Sequence, residues 1–223
     1  MEGQEAAGVN TRIDQSQLSA LMLRYREVEA KIWERLSEFR RFDREDCEGL
    51  FRELVFCLLT PQTSARRADL AVRELEGKGL LRRGSIKRVS EVLRRCGVRF
   101  HNKKAMYIVL NRRRLGGEGL KQMLVGEALE AREVLVRRVL GFGYKEASHF
   151  LRNIGYTGLA ILDRHVLRGM VRLGVLAEVP KIGSRRAYLR VEKIFIDAAR
   201  VIGIEPEALD LLLWYEATGE VFK

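Results

Sequence analysis

The sharpest chemical signal in the chain is Val139-Leu140-Gly141-Phe142-Gly143-Tyr144-Lys145-Glu146-Ala147. A helix carrying Val134, Leu135 and Val139 runs into Gly-Phe-Gly, and a second helix carrying Ala147, Phe150, Leu151 and Ile154 starts after it. Two glycines around one apolar residue make a tight inter-helix turn and leave amides at the head of the second helix. Those amides and the helix dipole suit a phosphate, which makes Gly141 and Gly143 candidate DNA-binding positions, while Phe142 plugs the turn into the core. Lys145 lies one residue past this turn. The dipole there favours anions, so it disfavours the ammonium form, as burial also does. A neutral amine is what a nucleophile requires. An exposed lysine contacting phosphate fits the same local pattern.

Eighteen residues on comes Leu162-Asp163-Arg164-His165-Val166-Leu167. Asp163 follows an apolar stretch and precedes a helical run, the ordinary place of an N-cap. His165 has no second histidine at metal-ligand spacing, and the sequence offers no metal site.

Positive charge is concentrated in the middle of the chain. The net charge is +11, yet residues 66–104 alone carry 13 basic and 4 acidic side chains. Residues 1–65 carry 9 basic and 12 acidic, and residues 146–223 carry 11 and 10. Arg66, Arg67, Arg82, Arg83, Lys87, Arg88, Arg94, Arg95, Arg99, Lys103 and Lys104 recur in pairs. Such clustering suits a polyanion, because each cation near a phosphate backbone releases condensed counterions.

Composition excludes other classes. Hydrophobic residues at 47% are too many for a disordered chain. No apolar run approaches the roughly 20 residues of a spanning helix, and the polar first residues show no signal peptide. A cytoplasmic protein without membrane contact is expected. Cys47, Cys57 and Cys96 are too few and too widely spaced for a disulfide framework or a metal cluster.

Helical periodicity runs through the elements that must carry these residues. Leu18, Leu21, Met22, Tyr25, Val28, Ile32, Leu36 and Phe39 mark one long amphipathic helix. Leu50 to Leu59 reads as a buried helix ending before Pro61. Helical spacing returns at Ala68, Val72 and Leu75, at Val89, Val92 and Leu93, and at Ile194, Phe195, Ala198 and Val201. Pro206 begins a last helix that Gly219 ends. Gly116-Gly117 and Gly155–Gly158 are expected as loops. No strand pattern stands out, and the fold class is all-α.

The hairpin with its lysine, followed by Asp163-Arg164-His165-Val166, resembles the helix–hairpin–helix DNA glycosylase superfamily. So does Leu58-Leu59-Thr60-Pro61-Gln62-Thr63. Val98-Arg99-Phe100-His101-Asn102-Lys103-Lys104-Ala105 and the ending Asp210 to Lys223, with Trp214 within it, are similar to the type-2 8-oxoguanine DNA glycosylase/AP lyase family. The likeness covers nearly the whole chain from about residue 18. The absence of cysteine after Cys96 separates it from the branch with an iron–sulfur loop.

The resemblance implies two helical subdomains with the active site in a cleft between them. The expected division is a flexible segment 1–17, one subdomain of 18–60 and 150–223, and a second of 61–149 that includes the hairpin. It implies Lys145 as nucleophile and Asp163 as catalytic carboxylate, no cofactor, and a monomer acting on double-stranded DNA containing oxidised guanine. By resemblance Gln62 fills the space vacated in the duplex. Trp214 stacks on the flipped base, Asp210 bonds its edge, Phe100 lines the same pocket, and Lys223 distinguishes 8-oxoguanine from guanine. Asp210 and Trp214, four apart on a helix, share a face. Two other readings fit the residues: a glycosylase/lyase for oxidised pyrimidines, and a non-catalytic helix–hairpin–helix DNA-binding protein.

Overall fold

A computed structural model of the protein describes residues 13–223, which form eleven helices and no strand. In chain order these are α1 (Gln15–Arg40), α2 (Cys47–Leu59), α3 (Ala65–Gly77), α4 (Ile86–Arg95), α5 (His101–Arg114), α6 (Gly116–Lys121), α7 (Ala128–Arg138), α8 (Tyr144–Asn153), α9 (Arg164–Arg172), α10 (Arg185–Ile202) and α11 (Pro206–Thr218). The all-α expectation holds. Short polar side chains start several helices by accepting otherwise unpaired amides: Asp46 for α2, Ser64 for α3, Ser85 for α4 and Ser184 for α10.

The described residues pack as two units. One comprises Leu36–Leu159 together with Lys223. Its axis is α2, which buries ten of its thirteen residues and packs against α3, α5, α6 and α8. Each fully buried leucine or phenylalanine there contributes about 1.5–3 kcal/mol of transfer free energy. The other unit comprises the described residues up to Arg35 and Ala160–Phe222. There α11 packs on both α9 and α10, and Gly169 of α9 lies so close to Leu213 that an added Cβ would stand 2.8 Å from its Cδ2.

Four expectations differ from the structure. The division expected at 60/61 and 149/150 falls instead at 35/36 and 159/160, because α2 and α8 pack on each other and on the middle of the chain. Within the segment 1–17, residues 1–12 lie outside the described residues, but Gln15 already begins α1. Asp14 fixes that start: its Oδ1 accepts the amides of Ser16 and Gln17, and its own amide donates to the Leu173 carbonyl. Gly116-Gly117 is no loop but the start of α6. A Cβ on Gly117 would stand 2.3 Å from the Cys47 Cβ, so glycine there permits close packing on the head of α2 rather than a turn. Val201, read as apolar-periodic, is 75% exposed.

Candidate active site

The hairpin forms as the sequence implies. α7 ends at Arg138 and α8 begins at Tyr144. Gly141 takes a φ of +89°, and a Cβ there would meet the Tyr107 ring at 2.5 Å and Leu58 at 2.9 Å. Glycine is therefore required twice over, by conformation and by space. Phe142 is buried against Phe150, with ring centroids 6.1 Å apart. Asn111 ties the turn to α5: its Nδ2 donates to the Leu140 carbonyl and its Oδ1 accepts the Leu140 amide, both at 2.9 Å.

The head of α8 is not bare. The Gly143 amide donates to Glu146 Oε2 at 3.0 Å, so the acid three residues on caps the helix from within. The other carboxylate oxygen, Oε1, pairs with Lys145 Nζ at 2.9 Å. One side chain thus holds the lysine and covers the first amide. Lys145 is sheltered, with 23% of its side chain exposed.

Around it the middle unit gathers groups far apart in sequence. His149, one turn along α8, is buried and edge-on to Phe56 at 5.7 Å. Burial, then the charges of Arg152, Lys145 and Lys223, hold its imidazole well below the ordinary histidine value, so the ring is neutral. Its Nε2 is buried without a hydrogen-bond partner among the described residues. Burial likewise pushes the Cys57 thiol well up, with Glu53 adding to the effect, so the thiol stays protonated.

Lys223 belongs to this cluster. Its Nζ donates to Glu53 Oε2 at 3.0 Å and lies 4.4 Å from the centre of the Phe56 ring. Asn153 Nδ2 donates to the other Glu53 oxygen at 2.6 Å, and Arg152 donates to Asn153 Oδ1. Lys223 is therefore a placed, paired cation rather than a frayed end. The carboxylate that holds it, Glu53, escaped sequence reasoning. Its signal was an acid inside the apolar run Leu50–Leu59, which burial obliges to find partners. His149 carried a signal too, four residues from Lys145 on the same helix face.

The other unit holds Asp163, Asp210 and Trp214. Asp163 caps α9: its Oδ1 accepts the amides of His165 at 2.7 Å and Val166 at 2.9 Å. The approach to it is pinned, since the Ala160 amide donates to Glu192 Oε1 and the Tyr188 hydroxyl donates to the Ala160 carbonyl at 2.6 Å. Both cap bonds use one oxygen. On α11, Asp210 is buried and Trp214 is half-buried.

Gln62 and Phe100 lie in the middle unit, on the loops before α3 and α5. Both are exposed, and both have positive φ, 54° and 57°. They are the two such non-glycine residues among those described. Of the basic segment, Arg94 and Arg95 are exposed at the end of α4. Arg82 pairs with Glu48 at 2.6 Å. Lys104, expected with the phosphate-facing cations, is buried instead, its ammonium held by three oxygens.

Fold and hairpin together define an all-helical helix–hairpin–helix protein with a sheltered lysine at the head of the hairpin's second helix. The family model for 8-oxoguanine DNA glycosylase matches residues 32–204, and the chain belongs to that family. It is 45% identical over 198 residues to the 8-oxoguanine DNA glycosylase/AP lyase of Thermotoga petrophila, a match covering 88% of this chain and 94% of the relative. With the corresponding protein of Methanocaldococcus jannaschii it shares 40% identity over 201 residues, 90% of this chain and 96% of the relative. Among solved structures, the 8-oxoguanine DNA glycosylase of Thermotoga maritima is similar with a TM-score of 0.85 and 42% identity, over 94% of this chain and 99% of that one. The Methanocaldococcus jannaschii 8-oxoguanine glycosylase/lyase in complex with a 15mer DNA containing 8-oxoguanine has a TM-score of 0.84 at 37% identity, over 94% and 100%.

Proposed function

We propose that this protein removes 8-oxoguanine from double-stranded DNA and cuts the strand at the resulting abasic site, with Lys145 performing both steps. The observation that carries this reading is the placement of Lys145: first turn of α8, three-quarters sheltered, beside a neutral buried imidazole, in a chain of the 8-oxoguanine DNA glycosylase family.

A base inside a duplex is out of reach, so the nucleotide is first extruded. The exposed cations of residues 66–104 hold the backbone, and the hairpin around Gly141 and Gly143 grips phosphate near the lesion. Gln62 enters the gap left in the duplex. The Lys145 amine, having given up its proton, attacks C1′ of the deoxyribose. The C1′–N bond breaks, its electron pair leaves with the base, and the base takes up a proton. As that bond stretches the sugar gains positive charge, and the ionised Asp163 stabilises it. The adduct nitrogen gives up a proton, which the departing base takes; its restored lone pair then expels O4′ from C1′, O4′ takes up a proton from water as the ring opens, and a protonated Schiff base forms. That cation acidifies C2′; loss of the C2′ proton and cleavage of the C3′–O bond release the phosphate on the 3′ side. Water hydrolyses the remaining imine and frees Lys145. No redox cofactor or metal enters the scheme.

The lesion differs from guanine at O8 and at N7, which carries a proton where guanine has a lone pair. A pocket built around that donor rejects guanine by leaving polar groups unpaired. The family resemblance assigns base recognition to Lys223, Trp214, Asp210 and Phe100. No helix of the described residues is long and apolar enough to cross a membrane. The inferred setting is the cytoplasm, on nucleoid DNA, with the protein acting as a monomer.

Borohydride reduction tests the reading. Reduction during turnover should leave a covalent protein–DNA product on a duplex bearing 8-oxoguanine, and none on the matched guanine duplex. A product formed only on oxidised-pyrimidine duplexes would move the protein to another lesion class. Binding without any covalent product would make it a DNA-binding module.

A further inference from the structure

Lys104 has a task that neither charge nor family assigns. It is 5% exposed on the first turn of α5, in a segment whose other cations face solvent. An ammonium has three N–H donors, and this one meets three acceptors: the carbonyls of Leu59 at 2.8 Å and Pro61 at 2.7 Å, and Thr63 Oγ1 at 3.1 Å. These three flank Gln62 on both sides. Thr63 Oγ1 also accepts the amide of Arg99 at 3.2 Å, immediately before Phe100. One buried cation and one hydroxyl therefore join the two loops on which Gln62 and Phe100 stand. Both residues hold left-handed backbones that side-chain-bearing residues adopt at a cost, and such strain persists only where the surroundings enforce it.

We propose that Lys104 is a positioning residue that locks the Gln62 and Phe100 loops into one rigid edge presented to duplex DNA. The proposal rests on the reading above, in which both side chains work on the DNA. Its chemistry is separable from that of Lys145: a rigid edge matters when a base must be evicted from a duplex, and matters little when the substrate is a single strand that already lacks the base.

Protonation gives a second handle. The charged groups facing Lys104 are Lys145 and Glu146 on α8 and Arg99 before α5. Burial first, then Lys145 and Arg99, lower its pKa to about 8, with Glu146 opposing. Above that pH the amine has two donors for three acceptors, and the edge loosens.

The test compares 8-oxoguanine excision from duplex with strand cleavage at an abasic site in single-stranded DNA, for the wild-type protein, Lys104→Met and Thr63→Ala. Lys104→Met should slow duplex excision roughly 10- to 100-fold while single-strand cleavage changes less than about twofold. Thr63→Ala, which removes only the shared hydroxyl, should lower the same ratio by less. In the wild-type protein the duplex-to-single-strand ratio should fall as pH rises through 8, and in Lys104→Met it should be flat. Lys145 serves both substrates, so the ratio reports on the edge and not on the chemical step. An unchanged ratio in both variants, or equal losses on both substrates in a Thr63→Ala protein that melts normally, would overturn the proposal. A wild-type protein that cleaves abasic sites but does not excise 8-oxoguanine would instead overturn the functional reading. The lock would then be read by the fluorescence of 2-aminopurine opposite a stable abasic analogue, which Lys104→Met must alter for the proposal to stand.

Discussion

The heads of α8 and α9 are both helix starts with a charged residue, and they solve opposite problems. At α9 the residue is Asp163, whose charge agrees with the helix dipole and whose Oδ1 takes two free amides. At α8 the residue is Lys145, whose charge opposes the dipole, and a second side chain has to make the position workable. Glu146 does so by capping Gly143 with one oxygen and pairing with Lys145 through the other. The acid at α9 sits where two free amides are at hand to bond it. The lysine at α8 sits where the dipole opposes its charge, and Glu146 restrains it.

The contrast breaks most sharply at Lys145. If one group carries both steps, Lys145→Gln should reduce base release and strand cleavage by at least about 10⁴-fold. Duplex binding measured by fluorescence anisotropy should stay within a few-fold of wild type. Substantial cleavage by this variant would return Lys145 to the role of a phosphate contact.

Asp163 separates charge from capping. Asp163→Asn keeps an oxygen for the two amides, so melting should shift little, while excision should fall about 100- to 1000-fold for want of charge stabilisation. Asp163→Ala removes the cap as well, at about 1 kcal/mol. In a chain of this size that lowers the melting temperature by roughly 2–4 °C. If Asn retains activity and only Ala shows a change, in melting, then α9 starts with an ordinary cap.

Lys223 extends the comparison to a cation with a permanent partner. Lys223→Gln removes the ammonium from Glu53 and Phe56, and should narrow the 8-oxoguanine-to-guanine rate ratio by about tenfold while single-strand abasic cleavage persists. An unaltered ratio makes the Glu53 pair purely structural.

The smallest expected effect lies on the surface. Replacing Arg94 and Arg95 with glutamine should lower the magnitude of the log-affinity against log-salt slope by up to about 2, about 0.9 for each lost phosphate contact. An unchanged slope leaves these two in solvent.

Local pattern carried most of the fold. The steps from Leu18 to Phe39, the apolar run of α2 and the Gly-Phe-Gly turn each follow from neighbours in sequence, and the structure places helices and hairpin accordingly. Gly116-Gly117 misled because glycine serves close packing as well as turns, and only the position of Cys47 decides between them. In the site, Lys145 and Asp163 stood out through motif and spacing. Glu146 was within reach of the same reasoning, as the acid three residues past an N-cap glycine. Glu53 and Lys104 were not. Glu53 meets Lys223 across 170 residues of chain, and Lys104 looks like any other lysine of a basic segment until Leu59, Pro61 and Thr63 fold around it. Burial of a charge is a tertiary property, and a sequence shows only the charge.

The account turns on which amine attacks the sugar, and three lysines of the middle unit compete: Lys145, Lys104 and Lys223. Borohydride trapping on an 8-oxoguanine duplex, followed by nuclease and trypsin digestion and mass spectrometry, identifies it. Trypsin cuts after Arg138 and Arg152 and is blocked at a modified lysine, so the predicted adduct is the peptide Val139–Arg152 carrying a sugar remnant on Lys145. A remnant on Lys104, on Lys223 or on any other residue would contradict the account.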